Sequence, residues 1–293
     1  MSKLKGKDPK TAEPAHGKAV ISGPPGVGKT WTAIDFPRVF YIDTEGGANL
    51  DHYTEKLKKS GGVYFGPEDG SLDAGEVIGQ IQALATEDHP YKTVVIDSLS
   101  KIYNKIIADE QEKLGDKDAF GASKKPAVAF TRRLINWIDR LDMNCLFIAH
   151  TKDQWGPGNI GKIGETFDAW EKLAYELNLW LAIEKRGTSR VAVVRKSRLL
   201  GFPEGEAVPW SYEEFAARYG KKALEAEPKK ITLVSPEQVA SILHLLDVVK
   251  ISDEEISKWL TKAKVESWEE MDSAMGEKVI NFLKAKVTTT ETK

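Results

Sequence analysis

The run Gly23-Pro24-Pro25-Gly26-Val27-Gly28-Lys29-Thr30 is the first stretch whose residue types and spacing can do chemistry. Glycines at this spacing let consecutive backbone N–H groups turn inward around a phosphate, because they tolerate positive φ and close approach. A lysine then carries a point charge to the β- and γ-phosphates, and the hydroxyl after it can ligate magnesium. The chemistry is therefore binding of a nucleoside triphosphate with Mg2+, and Trp31 completes the set of binding residues. The flanks agree. Lys18 to Ser22 reads as a strand entering the loop, and a brief helix leaves it near Lys29 with its positive end toward the phosphates.

A second metal group follows. Val94-Val95-Ile96-Asp97 is an apolar strand ending in a carboxylate, which can hold the magnesium through water. Hydrolysis also needs a group that orients or deprotonates the attacking water. The large AAA+ class places a Glu directly after this Asp, but Ser98 stands here. That speaks against an AAA+ loader or motor and moves the base elsewhere. Tyr41-Ile42-Asp43-Thr44-Glu45-Gly46-Gly47 offers Glu45, just past a second strand. In a parallel sheet that strand end lies on the phosphate side. His150 ends a third apolar run, Phe147-Ile148-Ala149-His150. No Arg-rich lid that could clamp a second nucleotide is visible, so a nucleotide kinase is disfavoured.

These motifs together resemble the RecA-type recombinase core, and within it the phage-encoded RecA-like ATPases of the Sak single-strand annealing type. The resemblance covers roughly residues 18–209. It rests on the Gly-Pro-Pro-Gly loop, the short stretch to the second strand, Asp43-Thr44-Glu45-Gly46, the carboxylate strand without a following Glu, and the strand end near Arg198. It implies ATP as the nucleotide, Glu45 as the catalytic carboxylate and His150 as the residue sensing the γ-phosphate. It also implies that Lys196 and Arg198, alternating at a strand end, reach the ATP of a neighbouring subunit in a filament or ring. Two departures stand out: His150 replaces the usual Gln, and the Lys29 to Glu45 segment is shorter than in RecA itself.

In that core, loops after the central strands hold single-stranded DNA. The matching stretch, Thr151 to Lys162, is Gly-rich and contains Lys152, Trp155 and Lys162. A base can stack on Trp155 while the lysines meet phosphates. Gly115 to Lys125, with Lys117, Lys124 and Lys125, is a weaker second candidate. The expected function is DNA-dependent ATP hydrolysis in recombination. The alternative is a nucleotide-switched binding module that hydrolyses slowly and recruits replication proteins.

The elements needed to position these groups can be read from periodicity and caps. Strands are expected at Lys18 to Ser22, Val39 to Asp43, Thr93 to Asp97 and Asn144 to Ala149, with helices at Ser71 to Thr86, Leu99 to Leu114 and Pro126 to Leu141. Such alternation predicts an α/β fold, a mostly parallel sheet with helices on both sides. Thr151 to Gly164 reads as a long loop. Glu176 to Glu184 and Ser189 to Lys196 read as an edge hairpin. Ser211 with Glu214 opens a short helix that stops at Gly220.

The expected organisation is a flexible arm (1–16), an ATPase core (17–220), a linker (221–234), a small helical domain (235–287) and a disordered tail (288–293). Helix starts in the small domain are read at Ser235-Pro236, Ser252 with Glu255, and Ser267 with Glu270. That domain carries no catalytic motif and is a docking candidate for a single-strand-binding or replication protein. The chain has 293 residues, is 41% hydrophobic and 29% charged, and carries net charge −2, so bulk charge does not decide on nucleic acid. No apolar run reaches the roughly 20 residues of a membrane span. The single cysteine, Cys145, lies in an apolar run and reads as a buried thiol, in keeping with a cytoplasmic setting.

Overall fold

The computed structural model describes residues 16–47, 50–119, 121–156, 158 and 161–291. Apart from His16, the expected N-terminal arm lies outside the described residues. Among the described residues there are ten strands: β1 (Lys18–Ser22), β2 (Val39–Asp43), β3 (Val63–Phe65), β4 (Thr93–Asp97), β5 (Asn144–Ala149), β6 (Thr151–Trp155), β7 (Lys162–Phe167), β8 (Leu179–Arg186), β9 (Ser189–Ser197) and β10 (Ala207–Pro209). The α-helices are α1 (Lys29–Ala33), α2 (Asp51–Lys59), α3 (Ala74–Thr86), α4 (Leu99–Leu114), α5 (Lys124–Arg140), α6 (Leu173–Glu176), α7 (Tyr212–Tyr219), α8 (Lys221–Leu224), α9 (Pro236–Val249), α10 (Asp253–Ala263) and α11 (Ser273–Glu291).

Eight strands form one sheet in the order β10-β9-β8-β1-β5-β4-β2-β3, and β6 and β7 form a separate antiparallel pair. From β8 through β3 the neighbours are parallel; β9 runs against them, and β10, antiparallel to β9, runs with them again. This is the α/β architecture of a P-loop NTPase core followed by C-terminal helices. Every residue of β4 and β5 is buried, which explains their unbroken apolar runs. Side chains alternate between two cores. Val94, Ile96, Cys145 and Phe147 face α3, α4 and α5, whereas Val95, Leu146 and Ile148 face Phe36, Trp210 and Phe215. Burial pushes the Cys145 thiol up to about 12, so it is an inert core residue.

Several elements depart from the sequence expectation. The stretch 151–164 is not a loop. β6 and β7 pair across it, with Thr151 opposite Phe167 and a bulge at Gln154/Trp155. α2, β3 and β10 had no clear signal. α3 begins at Ala74 because Asp73, not Ser71, caps it by accepting from the Glu76 N–H. The Ser71 hydroxyl instead donates to the Asp43 carbonyl. α5 begins at Lys124, with Pro126 tolerated in its first turn. The β8–β9 hairpin is one strand inside the sheet edge, since β10 covers it.

In the C-terminal unit, Ser235 and Ser252 cap as expected. Ser267 makes no side-chain cap and opens only a 3-10 turn. α11 runs on to Glu291, past the expected start of the tail. Its packing against α9 buries Ile242, Trp268 and Leu283. The stretch 221–234 is packed rather than free: Leu224 is buried, its carbonyl accepts from the Asn144 amide at 2.7 Å, and Ile231 N–H donates to the Ala85 carbonyl at 2.8 Å. The buried Glu270 carboxylate accepts from Gln82 (3.1 Å) and Arg133 (2.7 Å), joining the helical unit to α3 and α5.

Candidate active site

The carboxyl ends of β1, β5, β4 and β2 stand side by side, which is where ligands bind in open parallel sheets. The loop Gly23–Thr30 leaves β1 there. Gly28 adopts φ 86° and caps α1, a conformation that costs a side-chain-bearing residue strain. Gly23 must also be glycine, because a Cβ would stand 2.6 Å from the Ile183 carbonyl. Lys29 is nearly buried, and its ammonium donates to the Gly23 and Pro24 carbonyls at 2.8 Å each. Burial holds its pKa below the ordinary lysine value. A phosphate is a stronger acceptor than two neutral carbonyls, so it can draw the ammonium across. Gly26, Gly28, Lys29, Thr30, Trp31, Tyr53 and Arg190 line a cavity of about 300 Å3. Trp31 and Tyr53 meet edge to face at 5.7 Å and give the cavity an aromatic side.

Thr30 and Asp97, 67 residues apart, meet at 2.5 Å, the hydroxyl donating to Oδ2. Tyr41 donates to the same oxygen at 2.6 Å. A hydroxyl beside a carboxylate is the hard oxygen set that magnesium takes together with substrate phosphates. Thr30 and Asp97 would hold the ion, which supplies charge neutralisation at the phosphates. Tyr41 keeps the carboxylate oriented. Burial raises the Asp97 pKa, and the Thr30 and Tyr41 donors oppose that rise.

This carboxylate is a cost to the nucleotide-free fold. Below the ordinary carboxylate value of 3.8 both folded and unfolded forms are protonated, and the cost vanishes. As pH rises through the raised folded pKa the ionised form is penalised, and above it the cost is complete. Asp97→Asn is therefore expected to raise the melting temperature of the nucleotide-free protein at neutral pH by about 2–4 °C per kcal/mol recovered. The gain fades toward the acid end, and the variant loses the further stabilisation that Mg-ATP gives the wild type. Thermal unfolding with and without Mg-ATP checks both parts. A lowered melting temperature at neutral pH would contradict the assignment.

Glu45 lies just beyond β2, and its backbone is set by Asp43, whose Oδ1 accepts from the Glu45 and Gly46 N–H groups at 2.9 Å each. Its Oε1 accepts from Ser98 Oγ at 2.5 Å and meets His150 Nε2 at 2.6 Å. Three strand ends thus converge on one carboxylate. Thr44 ties the first two: its hydroxyl donates to the Ser98 carbonyl at 3.0 Å and accepts from the Ser98 N–H at 2.8 Å. The His150 N–H donates to Ser100 Oγ at 2.9 Å, fixing the third. Glu45 and His150 are exposed while Ser98 is buried, so the carboxylate faces solvent from a rigid base.

His150 runs directly into β6, and the Asp168 N–H returns to its carbonyl at 2.7 Å. The β6–β7 pair carries Lys152, Trp155 and Lys162; Pro157, Asn159 and Ile160 between them lie outside the described residues. Trp155 is 68% exposed. The lysines are engaged: Lys152 meets Asp168 at 3.5 Å, and Lys162 meets Asp153 at 2.7 Å and Glu165 at 3.2 Å. The structure does not bring Lys196 and Arg198 to this site. Lys196 donates to the Leu177 carbonyl, and Arg198 donates to that of Tyr175 at 2.9 Å, so both point to the segment before β8.

The AAA domain family matches residues 15–193, well over half of the chain. The chain belongs to the AAA domain family. The match spans Gly23–Thr30, Glu45, Asp97 and His150 and stops just short of Lys196. A search of the curated proteins gives no match. In this AAA domain no Glu follows Asp97, but Ser98 places one there in space by bonding Glu45. Ser98, Thr44, Tyr41, Trp210 and Arg190 were given no role in the site from sequence. Ser98 had one usable signal, its cap position ahead of α4, where it accepts from the Lys101 N–H.

Proposed function

We propose that this AAA domain protein is an ATPase whose turnover is controlled by single-stranded DNA, acting in phage-type recombination by annealing or strand exchange. The observation that carries this reading is the Glu45–His150 contact. The histidine that pairs with the candidate base is also the residue from which the β6–β7 pair departs. A ligand that moves β6 moves His150, and with it the partner of the carboxylate that must meet water. With Glu45 held by Ser98 and His150, the free protein sits in a slow state.

The exposed Trp155 suits base stacking. Phosphates would have to displace the acids now paired with Lys152 and Lys162, and about two such contacts give a modest salt dependence. The recombination role rests on the likeness to RecA-type proteins in the loop and strand-end motifs. Lys196 and Arg198 serve, in this reading, a neighbouring copy. Fully exposed Leu200 and exposed Tyr175 flank them, an apolar and cationic patch typical of protein contacts. Joining that patch to the P-loop end of another copy is head-to-tail and builds a filament or ring.

Steady-state ATP hydrolysis with magnesium, alone and with single- or double-stranded DNA, tests the reading. Single strands are expected to stimulate the wild type. Trp155→Ala is expected to weaken that response about tenfold or more, the scale of one stacked base, with basal hydrolysis unchanged. Hydrolysis or binding of ATP with no response to any DNA would remove DNA from the proposal. It would leave a nucleotide-switched binding module.

A further inference from the structure

Besides Lys29, one other cation lines the nucleotide cavity. Arg190, the second residue of β9, shares that lining with Gly26, Gly28, Thr30, Trp31 and Tyr53, and no carboxylate is among them. Its side chain lies across the last glycine of the loop: a Cβ on Gly28 would stand 2.8 Å from Arg190 Cδ and 2.9 Å from Nε. This placement is held by a buried residue. The Trp210 N–H donates to the Arg190 carbonyl at 3.0 Å, and its indole N–H donates to the Gly28 carbonyl at 3.1 Å. One tryptophan therefore ties the start of β9 to the loop.

The charge pattern singles out the same residue. Arg186 and Arg195 on this hairpin both pair with Glu184, at 3.1 and 3.6 Å. Among the described residues, the Arg190 guanidinium has no ion pair and no side-chain hydrogen bond. A phosphate in this cavity would lie in the field of both cations, which attract it together. A planar guanidinium also offers a fork that matches phosphate oxygens.

We propose that Arg190 is a second phosphate-binding residue of the nucleotide site, supplied by the same chain from the β8–β9 hairpin. The proposal rests on the nucleotide-binding reading of Gly23–Thr30 and adds to it a contact from outside the loop.

The test is binding of ATP, ADP and adenosine, with magnesium present, to wild type, Arg190→Ala, Arg190→Lys and Lys29→Ala. Arg190→Ala is expected to bind ATP and ADP about tenfold to hundredfold more weakly, the scale of a charge-assisted hydrogen bond, and adenosine unchanged. Arg190→Lys recovers part of the loss, since it keeps the charge and loses the fork. Arg190 is exposed, so the nucleotide-free melting temperature should not move. Equal ATP affinity in wild type and Arg190→Ala overturns the proposal. So does an equal loss for adenosine, which would mark Arg190 as packing on Gly28 only. Failure of the wild type itself to bind ATP would instead overturn the nucleotide reading.

Discussion

Glu45→Gln is expected to lower ATP turnover by roughly 10²- to 10⁴-fold, the range of a general base, and to leave ATP binding intact. The amide keeps the size of the side chain and can still accept from Ser98 Oγ, so the strand ends stay joined. What it loses is the capacity to take a proton from water. Glu45 suits that task because it is exposed, anchored by Asp43 through its own backbone, and on the phosphate side of the sheet. The neighbouring carboxylate, Asp97, is buried and committed to Thr30 and Tyr41. The measurement is single-turnover hydrolysis beside equilibrium binding of ATP. A variant that turns over at the wild-type rate would move the base elsewhere. A variant that fails to bind ATP would make Glu45 a binding residue.

Replacing Lys196 and Arg198 together by alanine is expected to slow turnover about 10³-fold, the lower end for a cation supplied to a transferring phosphoryl group in trans. Neither residue can serve its own site. Arg190 lies near the start of β9 beside the P-loop, and Lys196 is six residues further on, roughly 20 Å away at about 3.3 Å per residue. In the single chain both cations bond neutral carbonyls of Leu177 and Tyr175, acceptors that a γ-phosphate outcompetes. Complementation gives the decisive readout. Lys29→Ala subunits bind nucleotide poorly but carry intact Lys196 and Arg198. Mixed with the double variant, they complete its sites, and activity returns. A mixture as inactive as its parts would confine these residues to tying β9 to the segment before β8.

The strands that build the site were legible to the residue. β1, β2, β4 and β5 coincide with the apolar runs read from sequence, because a strand covered on both faces has no polar alternation to blur its ends. The P-loop was equally legible, since its chemistry is local: backbone N–H groups, lysine and hydroxyl all come from adjacent residues. The missed elements lacked such a signature. β3 has three residues. α2 buries only Leu57 along Asp51–Lys59. β6 and β7 enter the core only through Phe167 and otherwise have largely exposed side chains, so no apolar alternation marks them as strands.

Glu45 and His150 were named from the ends of their strands, but nothing local said that they touch. Their contact, with Ser98 between them, joins residues more than 50 positions apart and exists because the sheet order sets β2, β4 and β5 side by side. The same holds for Arg190 and Trp210 over Gly28, where the return of β9 between β8 and β10 decides which of several similar arginines meets the loop. Local composition can specify a cradle for phosphate and a run for a buried strand, because neighbours along the chain satisfy those needs. Which carboxylate meets which histidine, and which cation overlooks the cradle, depends on strand order and register, properties of the whole packed sheet.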